Sequence, residues 1–152
     1  GALRIWDLRD HSTSSKPVAT LLCGRHSLLC LAWDVANSGS HLLAVGDEDG
    51  GLFLLDNRNL SVTLFDGQRA RQNAIRSLAW CANHILASGG DDYKVVLLDS
   101  TKACVVKEYA NSHTDFVTAL AWDATTGCLF SGGMDRVVQS YPIISKSTVA
   151  LP

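Results

Sequence analysis

The sequence predicts an all-β protein that forms about three and a half four-stranded blades of a β-propeller, from a ring expected to contain seven blades. A pattern recurs with a period near 43 residues, because Asp49, Asp92 and Asp135 stand 43 residues apart. Within each copy, apolar and polar residues alternate at spacing two, as in "VTALAW" and "KVVLLD". Twelve glycines against three prolines favour a turn-rich β protein over a helical bundle.

Each copy is expected to contain four strands. In the copy that includes "SLAWCANHILASGGDDYKVVLLD" (77–99), we expect strands at 74–80, 85–89, 94–98 and 103–109. Its turn "GGDDY" (89–93) offers glycine for a positive φ and an aspartate that can bond its own backbone. The whole chain, 1–152, is then part of a single propeller, with the end of one blade at 1–22 and successive blades at 23–66, 67–109 and 110–152.

The predicted ring is incomplete. Residues 3–7 and 17–22 are expected to be the third and fourth strands of one blade, and 147–151 an outer strand of the last. A half ring would expose strand edges and blade faces to water. We therefore expect the rest of the same chain to close the ring, or a partner or further copy to cover its ends.

Composition excludes several classes of function. The net charge of −2 argues against a chain that holds nucleic acid by bulk electrostatics, and the basic loop "GQRARQN" (67–73) has too few arginines to change that. No apolar stretch approaches the length of a membrane span, so we expect no membrane partner. The five cysteines form no C-x-x-C pair and are expected to behave as small hydrophobes in a reducing compartment.

Motifs for catalysis, cofactors and metals are missing from the sequence. It contains no G-x-S-x-G, no G-x-x-x-x-G-K-[ST] and no G-x-G-x-x-G. The five histidines show no i, i+4 pair suited to a metal. The acidic stretch "GDEDGG" (46–51) lacks the calcium-loop pattern and lies where a propeller turn belongs. We expect no catalytic residue, no cofactor and no metal, hence no enzyme.

Several segments carry a family resemblance. "LRIWDLR" (3–9) resembles the Trp-Asp signature at the end of the third strand of a WD-repeat blade. "SHTDFVTALAW" (112–122) resembles the histidine loop and innermost strand, and "SGGMD" (131–135) the second strand and turn. The chain is thus similar to the WD-repeat family over essentially its whole length. It departs where Leu55, Leu98 and Tyr141 replace the usual tryptophan.

The resemblance implies a buried, hydrogen-bonded bracket inside one blade. Its members are His113, Ser131, Asp135 and Tyr141 in the last blade, with Asp49 and Asp92 in structural positions of the two earlier blades. Serine, histidine and aspartate are also the parts of a hydrolytic triad. We expect the bracket to satisfy buried polar groups instead, since triads are defined by geometry and roles.

We expect a non-catalytic scaffold that binds proteins through the propeller face carrying the His113 loop and the aspartate turns. The variable residues of this face mix aromatic and arginine side chains, as protein interfaces do. They are Arg25, Arg69, Arg71, Asn73, Asp91, Tyr93, Asp115, Phe116, Met134 and Arg136.

A finer resemblance concerns the partner. "VGDEDGGLFLLD" (45–56) and "AWDATTGCLFSGGMDRVVQSYPI" (121–143) are similar to the WD-repeat subunit of arginine methyltransferase (methylosome) complexes. This implies a subunit that binds the methyltransferase and presents arginine-rich histone or spliceosomal substrates. The acidic turn residues Asp47, Glu48, Asp49, Asp91 and Asp92 would suit arginine-rich tails.

Two alternatives stand beside it. "WDLR" (6–9) and "LDNR" (55–58) resemble the Trp-Asp-x-Arg box by which substrate receptors dock on the adaptor of cullin–RING ubiquitin ligases, with Arg9 and Arg58 as contacts. The other alternative is a generic assembly scaffold. All three interpretations imply protein partners in the cytosol or nucleus.

Overall fold

The computed structural model describes residues 1–7, 16–65, 71 and 73–143. Within them, the strands of each sheet follow one another along the chain and pair in antiparallel orientation. The strands are β1 (Ala2–Ile5), β2 (Ala19–Leu22), β3 (Leu28–Trp33), β4 (Leu42–Asp47), β5 (Leu52–Asp56), β6 (Ser61–Leu64), β7 (Ile75–Trp80), β8 (Ile85–Gly90), β9 (Val95–Asp99), β10 (Cys104–Tyr109), β11 (Val117–Asp123), β12 (Cys128–Gly133) and β13 (Val138–Pro142).

These strands form successive sheets that correspond to propeller blades. β1 pairs with β2, β3 to β6 form a four-stranded sheet, β7 to β10 form another, and β11 to β13 form a three-stranded sheet. We call the last three sheets the first, second and third blades. The predicted all-β propeller class is confirmed, and the predicted strands of the second blade agree with β7 to β10 to within about a residue.

The predictions for the first strands are less accurate. The strand expected at 17–22 begins only at Ala19, because Pro17 has no N–H for the ladder and is tolerated only outside it. The strand expected at 3–7 ends at Ile5. The outer strand expected at 147–151 lies outside the described residues.

The innermost strand of each blade carries a β-bulge at the same place. Register shifts lie between Leu28 and Cys30 in β3, between Ile75 and Ser77 in β7, and at the matching point of β11. A bulge places two residues opposite one and changes the direction of a side chain. The extra residue in β7 is Arg76, which is exposed in an otherwise largely buried strand.

Apolar cores fill the spaces between neighbouring blades. The core between the first and second blades includes Ala44, Leu52, Ile75 and Trp80, all buried. The indole Nε1 of Trp80 also donates to the carbonyl oxygen of Ala32 at 2.9 Å, which joins the two innermost strands. A second core joins the second and third blades, so that each blade is stabilised by its neighbour.

The turn at 89–93 differs from its prediction in one respect. Gly89 and Gly90 lie at the end of β8, and the residue with a left-handed backbone is Tyr93, at φ 65°. Gly90 is required by close packing instead, since a Cβ there would overlap the carbonyl oxygen of Ala74. The aspartate part of the prediction is confirmed, because Asp92 Oδ1 accepts from Lys94 N at 3.2 Å.

The five cysteines differ in exposure. Cys23 and Cys81 are buried, and Cys30 and Cys128 are half-buried. Cys104 is exposed because it lies on β10, the outer strand of the second blade, whose side chains face solvent. Among the described residues, no helix has the length and apolar character that crossing a bilayer requires.

Candidate protein-interaction face

The bracket of the third blade connects four side chains in a line. His113 Nδ1 lies 3.0 and 2.9 Å from the two carboxylate oxygens of Asp135, and His113 Nε2 lies 2.7 Å from Ser131 Oγ. Ser131 Oγ in turn lies 3.0 Å from the hydroxyl of Tyr141. The structure therefore brings together the four residues that the resemblance grouped.

This arrangement contains the residue types of a hydrolytic triad, but its serine is buried. Ser131 is buried, and its hydroxyl is shared between His113 and Tyr141. Burial raises the pKa of the Asp135 carboxyl, but hydrogen bonds from Thr114 N, His113 and Val137 N outweigh burial and hold that pKa below its usual range. The network satisfies buried polar groups and ties the histidine loop to the β12–β13 turn.

In the second blade, Arg71 binds the aspartate and the serine at the positions that His113 contacts in the third blade. Its side chain is 1% exposed, and its guanidinium donates to both oxygens of Asp92, to Ser88 Oγ at 3.2 Å and to the carbonyl oxygen of Lys94 at 2.9 Å. Arg71 stands 42 residues before His113, and Ser88 stands 43 before Ser131.

The structure buries Arg71, whereas the sequence analysis placed it on the exposed binding face. Its guanidinium is enclosed between the loop and the turn that it connects, and its Nε, Nη1 and Nη2 atoms donate to Asp92, Ser88 and Lys94 within the blade. The repeat spacing was the signal that could have identified it, because Arg71 lies within one residue of the histidine position.

In the first blade, the histidine and aspartate positions of the bracket form a pair at the protein surface. His26 Nε2 lies 3.1 Å from Asp49 Oδ2, and both side chains are partly exposed. The buried aspartate of this turn is Asp47, whose Oδ1 accepts from Gly51 N at 2.6 Å and Asp49 N at 3.0 Å. Asp47 thus bonds the backbone of this turn, and Val45 stands at the position that Ser131 occupies in the third blade.

An exposed aromatic cluster lies where the second and third blades meet. The rings of Tyr93 and Phe116 have centroids 5.8 Å apart, and Arg76 Cζ lies 5.1 Å from the centroid of Phe116. Arg76 is also held by Asp91 through two hydrogen bonds, one of them from Nη2 to Oδ2 at 2.9 Å. Met134 N donates to the carbonyl oxygen of Phe116 at 2.9 Å, which places the backbone of Met134 next to that of Phe116.

We call these five residues, Arg76, Asp91, Tyr93, Phe116 and Met134, the loop-face patch. Tyr93 is 41% exposed and Met134 is 59% exposed, although both are large apolar side chains. Tyr93 reaches the patch from the left-handed position of the β8–β9 turn. Arg76 reaches it from the bulge of β7, and the sequence analysis missed it because strict alternation gives no sign of a bulge.

The remaining predicted face residues lie outside the loop-face patch. Arg25 and Arg136 are exposed, and Asp115 accepts from the backbone N–H of Phe116 at 2.8 Å. Asn73 is exposed and borders an open cavity of about 300 Å³ that also touches Lys94 and Glu108. Arg69 lies outside the described residues.

The acidic turn residues all have partners inside the chain. Glu48 accepts from Ser27 N at 3.0 Å, Asp91 binds Arg76, and Asp92 binds Arg71. The carboxylates of Asp47 and Asp49 are used as described above. This set therefore gives no support to binding of arginine-rich tails.

Arg58 lies in the turn between β5 and β6, at the opposite end of the strands from the β4–β5 turn. Its side chain is 68% exposed, and its guanidinium forks onto Asp56 with Nε–Oδ1 at 3.0 Å and Nη2–Oδ2 at 2.5 Å. These side-chain bonds from Arg58 lower the pKa of Asp56 to about 2. Arg9, the other predicted docking residue, lies outside the described part of the chain.

In the described part of the chain, no group of three or more His, Cys, Asp or Glu residues could hold a metal ion.

Antiparallel sheets with a repeated inner-strand bulge and a His–Ser–Asp bracket define a WD40-type propeller. The chain belongs to the WD40-repeat family, since residues 37–125 match the profile of the family described as the anaphase-promoting complex subunit 4 WD40 domain. Proteins of this family act through protein partners.

Known relatives point to the same family. The chain is 32% identical over 143 residues to the APC/C activator protein CDH1 of Saccharomyces cerevisiae, covering 93% of this chain and 24% of that protein. It is 34% identical over 137 residues to Cell division cycle 20.1, cofactor of APC complex, of Arabidopsis thaliana, covering 88% of this chain and 28% of that protein. The chain thus spans about a quarter of the length of these curated relatives.

A solved structure shares the fold. The crystal structure of the mitotic checkpoint complex contains a chain that matches with a TM-score of 0.77 and 25% identity, over 93% of this chain and 41% of that chain. The relatives named here are activators and cofactors of the anaphase-promoting complex, so they do not support the predicted likeness to a methyltransferase subunit.

Proposed function

We propose that this chain is part of a non-catalytic WD40 scaffold that binds a protein partner through the loop-face patch and works with the anaphase-promoting complex. The observation that carries the proposal is the exposed cluster of Tyr93, Phe116 and Arg76. The names of the relatives support the setting, because they are activators or cofactors of that complex. A location in the cytosol or nucleus is part of the same proposal.

The chemistry of the patch suits a protein ligand. Tyrosine, arginine and methionine are enriched at the centres of protein interfaces, and aromatic anchors supply much of the affinity there. Asp91 and the ring of Phe116 already hold the Arg76 guanidinium in place, so binding would cost little additional side-chain entropy. We expect the partner to place an apolar side chain against Tyr93 and Met134 and an oxygen acceptor near Arg76.

The test is affinity purification of the tagged full-length protein from its own cells, with mass spectrometry of the chains that co-purify. The variant is Tyr93→Ala with Phe116→Ala, which removes the ring pair. The matched control is Val105→Ala with Val106→Ala, which removes two exposed apolar side chains from outer strand β10.

We expect subunits of the anaphase-promoting complex to co-purify with the unmodified protein and the control. Loss of two aromatic anchors should weaken binding of the face partner by about tenfold or more. Stoichiometric recovery of an arginine methyltransferase would favour the methylosome interpretation. Recovery of a cullin adaptor that depends on Arg58 would favour the docking-box interpretation. Either result, or full recovery of the complex with the double variant, would overturn the proposal.

A further inference from the structure

The turn between the second and third strands of a blade is built in the same way three times in this chain. The backbone N–H groups of Gly50, Tyr93 and Arg136 donate to the carbonyl oxygens three residues earlier, at 3.4, 3.3 and 3.2 Å. The same three residues have a left-handed backbone, with φ values of 84°, 65° and 66°. Each stands 43 residues after the one before. They therefore occupy one position of a repeated hairpin turn, a position at which glycine is the usual residue.

Glycine occupies this position in the first blade, where packing requires it. A Cβ built on Gly50 would lie 2.1 Å from the carbonyl oxygen of Arg71. Tyr93 and Arg136 have exposed side chains instead. A left-handed backbone strains any residue that has a Cβ, and such strain is typical of positions whose side chain serves a function. The chain thus keeps two strained turn residues whose side chains point toward solvent.

Arg136 is exposed and uncommitted. Among the described residues, its guanidinium has no hydrogen bond, ion pair or ring contact. The cations at the loop end of the second blade are all held within the chain, since Arg71 and Arg76 bind aspartates and Lys94 Nζ lies 2.6 Å from Glu108 Oε1. Arg136 can therefore offer its donors to a ligand without breaking an existing bond.

Arg136 lies next to the loop-face patch. It stands two residues after Met134, whose backbone N–H donates to the carbonyl oxygen of Phe116. The ring of Phe116 in turn contacts the ring of Tyr93 in the neighbouring turn. Phe116 thus connects the turn that carries Tyr93 with the turn that carries Arg136. In an extended peptide, side chains on one side recur at every second residue, so one segment can present groups to both turns.

The charges around this site favour a carboxylate as the ligand of Arg136. An arginine fork matches carboxylate and phosphate alike. Sites for phosphorylated peptides use clusters of arginines, however, and the nearby Arg76 is already neutralised by Asp91. Asp115, whose Oδ1 accepts from Phe116 N, adds a further negative charge to this face. These acids would repel a doubly charged phosphate more than a singly charged carboxylate.

We propose that Arg136 extends the loop-face patch into a site for an acidic peptide segment of the partner protein. A Glu or Asp carboxylate of that segment binds the Arg136 guanidinium, and an apolar side chain of the same segment lies against Tyr93. The two strained turn residues then set the specificity of the face. This inference rests on the proposed function, because it names the chemistry of the partner that the loop-face patch binds.

The test is a selection from a display library of short random peptides on the full-length protein. Selected peptides are synthesised with a fluorescent label, and their Kd values are measured by fluorescence polarisation. Arg136→Gly removes the guanidinium and suits the turn, and Arg136→Glu reverses the charge. Lys107→Glu is the matched control, because it makes the same charge change at an exposed cation on outer strand β10.

We expect the selected peptides to combine an apolar residue with an Asp or Glu. Arg136→Gly should weaken their binding by about tenfold, since a charge-assisted pair is lost. Arg136→Glu should bind versions with Lys in place of the acid better than the original peptides. Lys107→Glu should change Kd by less than about twofold, because screened charges outside the site contribute little. Arg136→Gly should melt no lower than the unmodified protein, since glycine relieves the strain, which separates lost binding from a lost fold.

Four results would overturn this inference. One is a set of selected peptides without an acidic preference, and another is a Kd that Arg136→Gly leaves unchanged. The third is tighter binding when phosphoserine replaces the acid, which would identify a phosphopeptide as the ligand. The fourth is a selection that yields no peptide. In each case the proposed function stands if Tyr93→Ala with Phe116→Ala still loses the co-purifying partner, and it fails separately if that double variant keeps the partner.

Discussion

Removing the guanidinium of Arg71 should destabilise the second blade more than any comparable change at a surface arginine. The side chain is 1% exposed, and it supplies donors to Asp92, Ser88 and the carbonyl oxygen of Lys94. Arg71→Ala leaves the Asp92 carboxylate without its cation and Ser88 Oγ without this donor. Breaking a fully buried ion pair costs about 3–5 kcal/mol.

The cost here should be somewhat smaller, because the Asp92 side chain is 17% exposed and can recover some hydration. We therefore expect Arg71→Ala to lower the free energy of unfolding by about 2–4 kcal/mol. For a chain of this size that corresponds to a fall in Tm of roughly 5–15 °C. Arg71→Lys keeps the charge but loses the planar fork, so its effect should be intermediate.

The assay is thermal unfolding followed by circular dichroism, with Arg58→Ala as the matched control. Arg58 also forks onto an aspartate, but its side chain is 68% exposed, and exposed pairs contribute little to stability. A Tm for Arg71→Ala equal to that of Arg58→Ala would refute the reasoning, because it would mean that burial of the pair does not matter. A fall for Arg71→Lys as large as that for Arg71→Ala would show that the fork geometry dominates over the charge.

Three further outcomes are expected. The pKa of Asp135 is lowered in the fold, so its carboxylate stabilises the protein above its ordinary pKa, and this contribution disappears as the pH falls through the folded-state value. The difference in Tm between the unmodified chain and Asp135→Asn should therefore be large at pH 7 and shrink below about pH 4, as a series of melting curves would show. Tyr141→Phe removes the hydroxyl partner of Ser131 and should cost about 1 kcal/mol, measured by urea unfolding. In thiol labelling of the native protein, exposed Cys104 should react fast, whereas Cys81, whose burial raises its thiol pKa to about 12, should react only on unfolding.

The fold could be predicted from the sequence because its two main signals report directly on strand pairing. Alternation at spacing two predicts which side of a strand is buried, and the 43-residue period predicts that each sheet resembles the next. β7 to β10 accordingly lie where they were expected. Local exceptions were missed where a single residue breaks the pattern, as Arg76 does at its bulge and Tyr93 at its left-handed turn.

The candidate site was predicted less completely, for a related reason. Arg71 was placed on the surface because arginine is usually exposed, although its position 42 residues before His113 could have identified it as a member of the bracket. Phe116 and Tyr93 were assigned to the binding face, and the structure shows Tyr93 exposed and Phe116 half-buried, but their contact with each other depends on the packing of two blades. Pairings between blades have no signature within one repeat.

The three brackets show how a degenerate repeat keeps its interior satisfied. In the third blade the buried hydroxyl of Ser131 has a histidine and a tyrosine as partners. In the second blade the tyrosine position holds leucine, and Ser88 binds Arg71 instead. In the first blade Val45 replaces the serine, and His26 lies at the surface with Asp49. A buried hydroxyl is thus present only where a buried donor reaches it, which is the condition that the cost of an unpaired polar group imposes on each blade. Because the polar members can be exchanged one at a time as long as each buried hydroxyl keeps a partner, the blades can differ in sequence while apolar cores still join them.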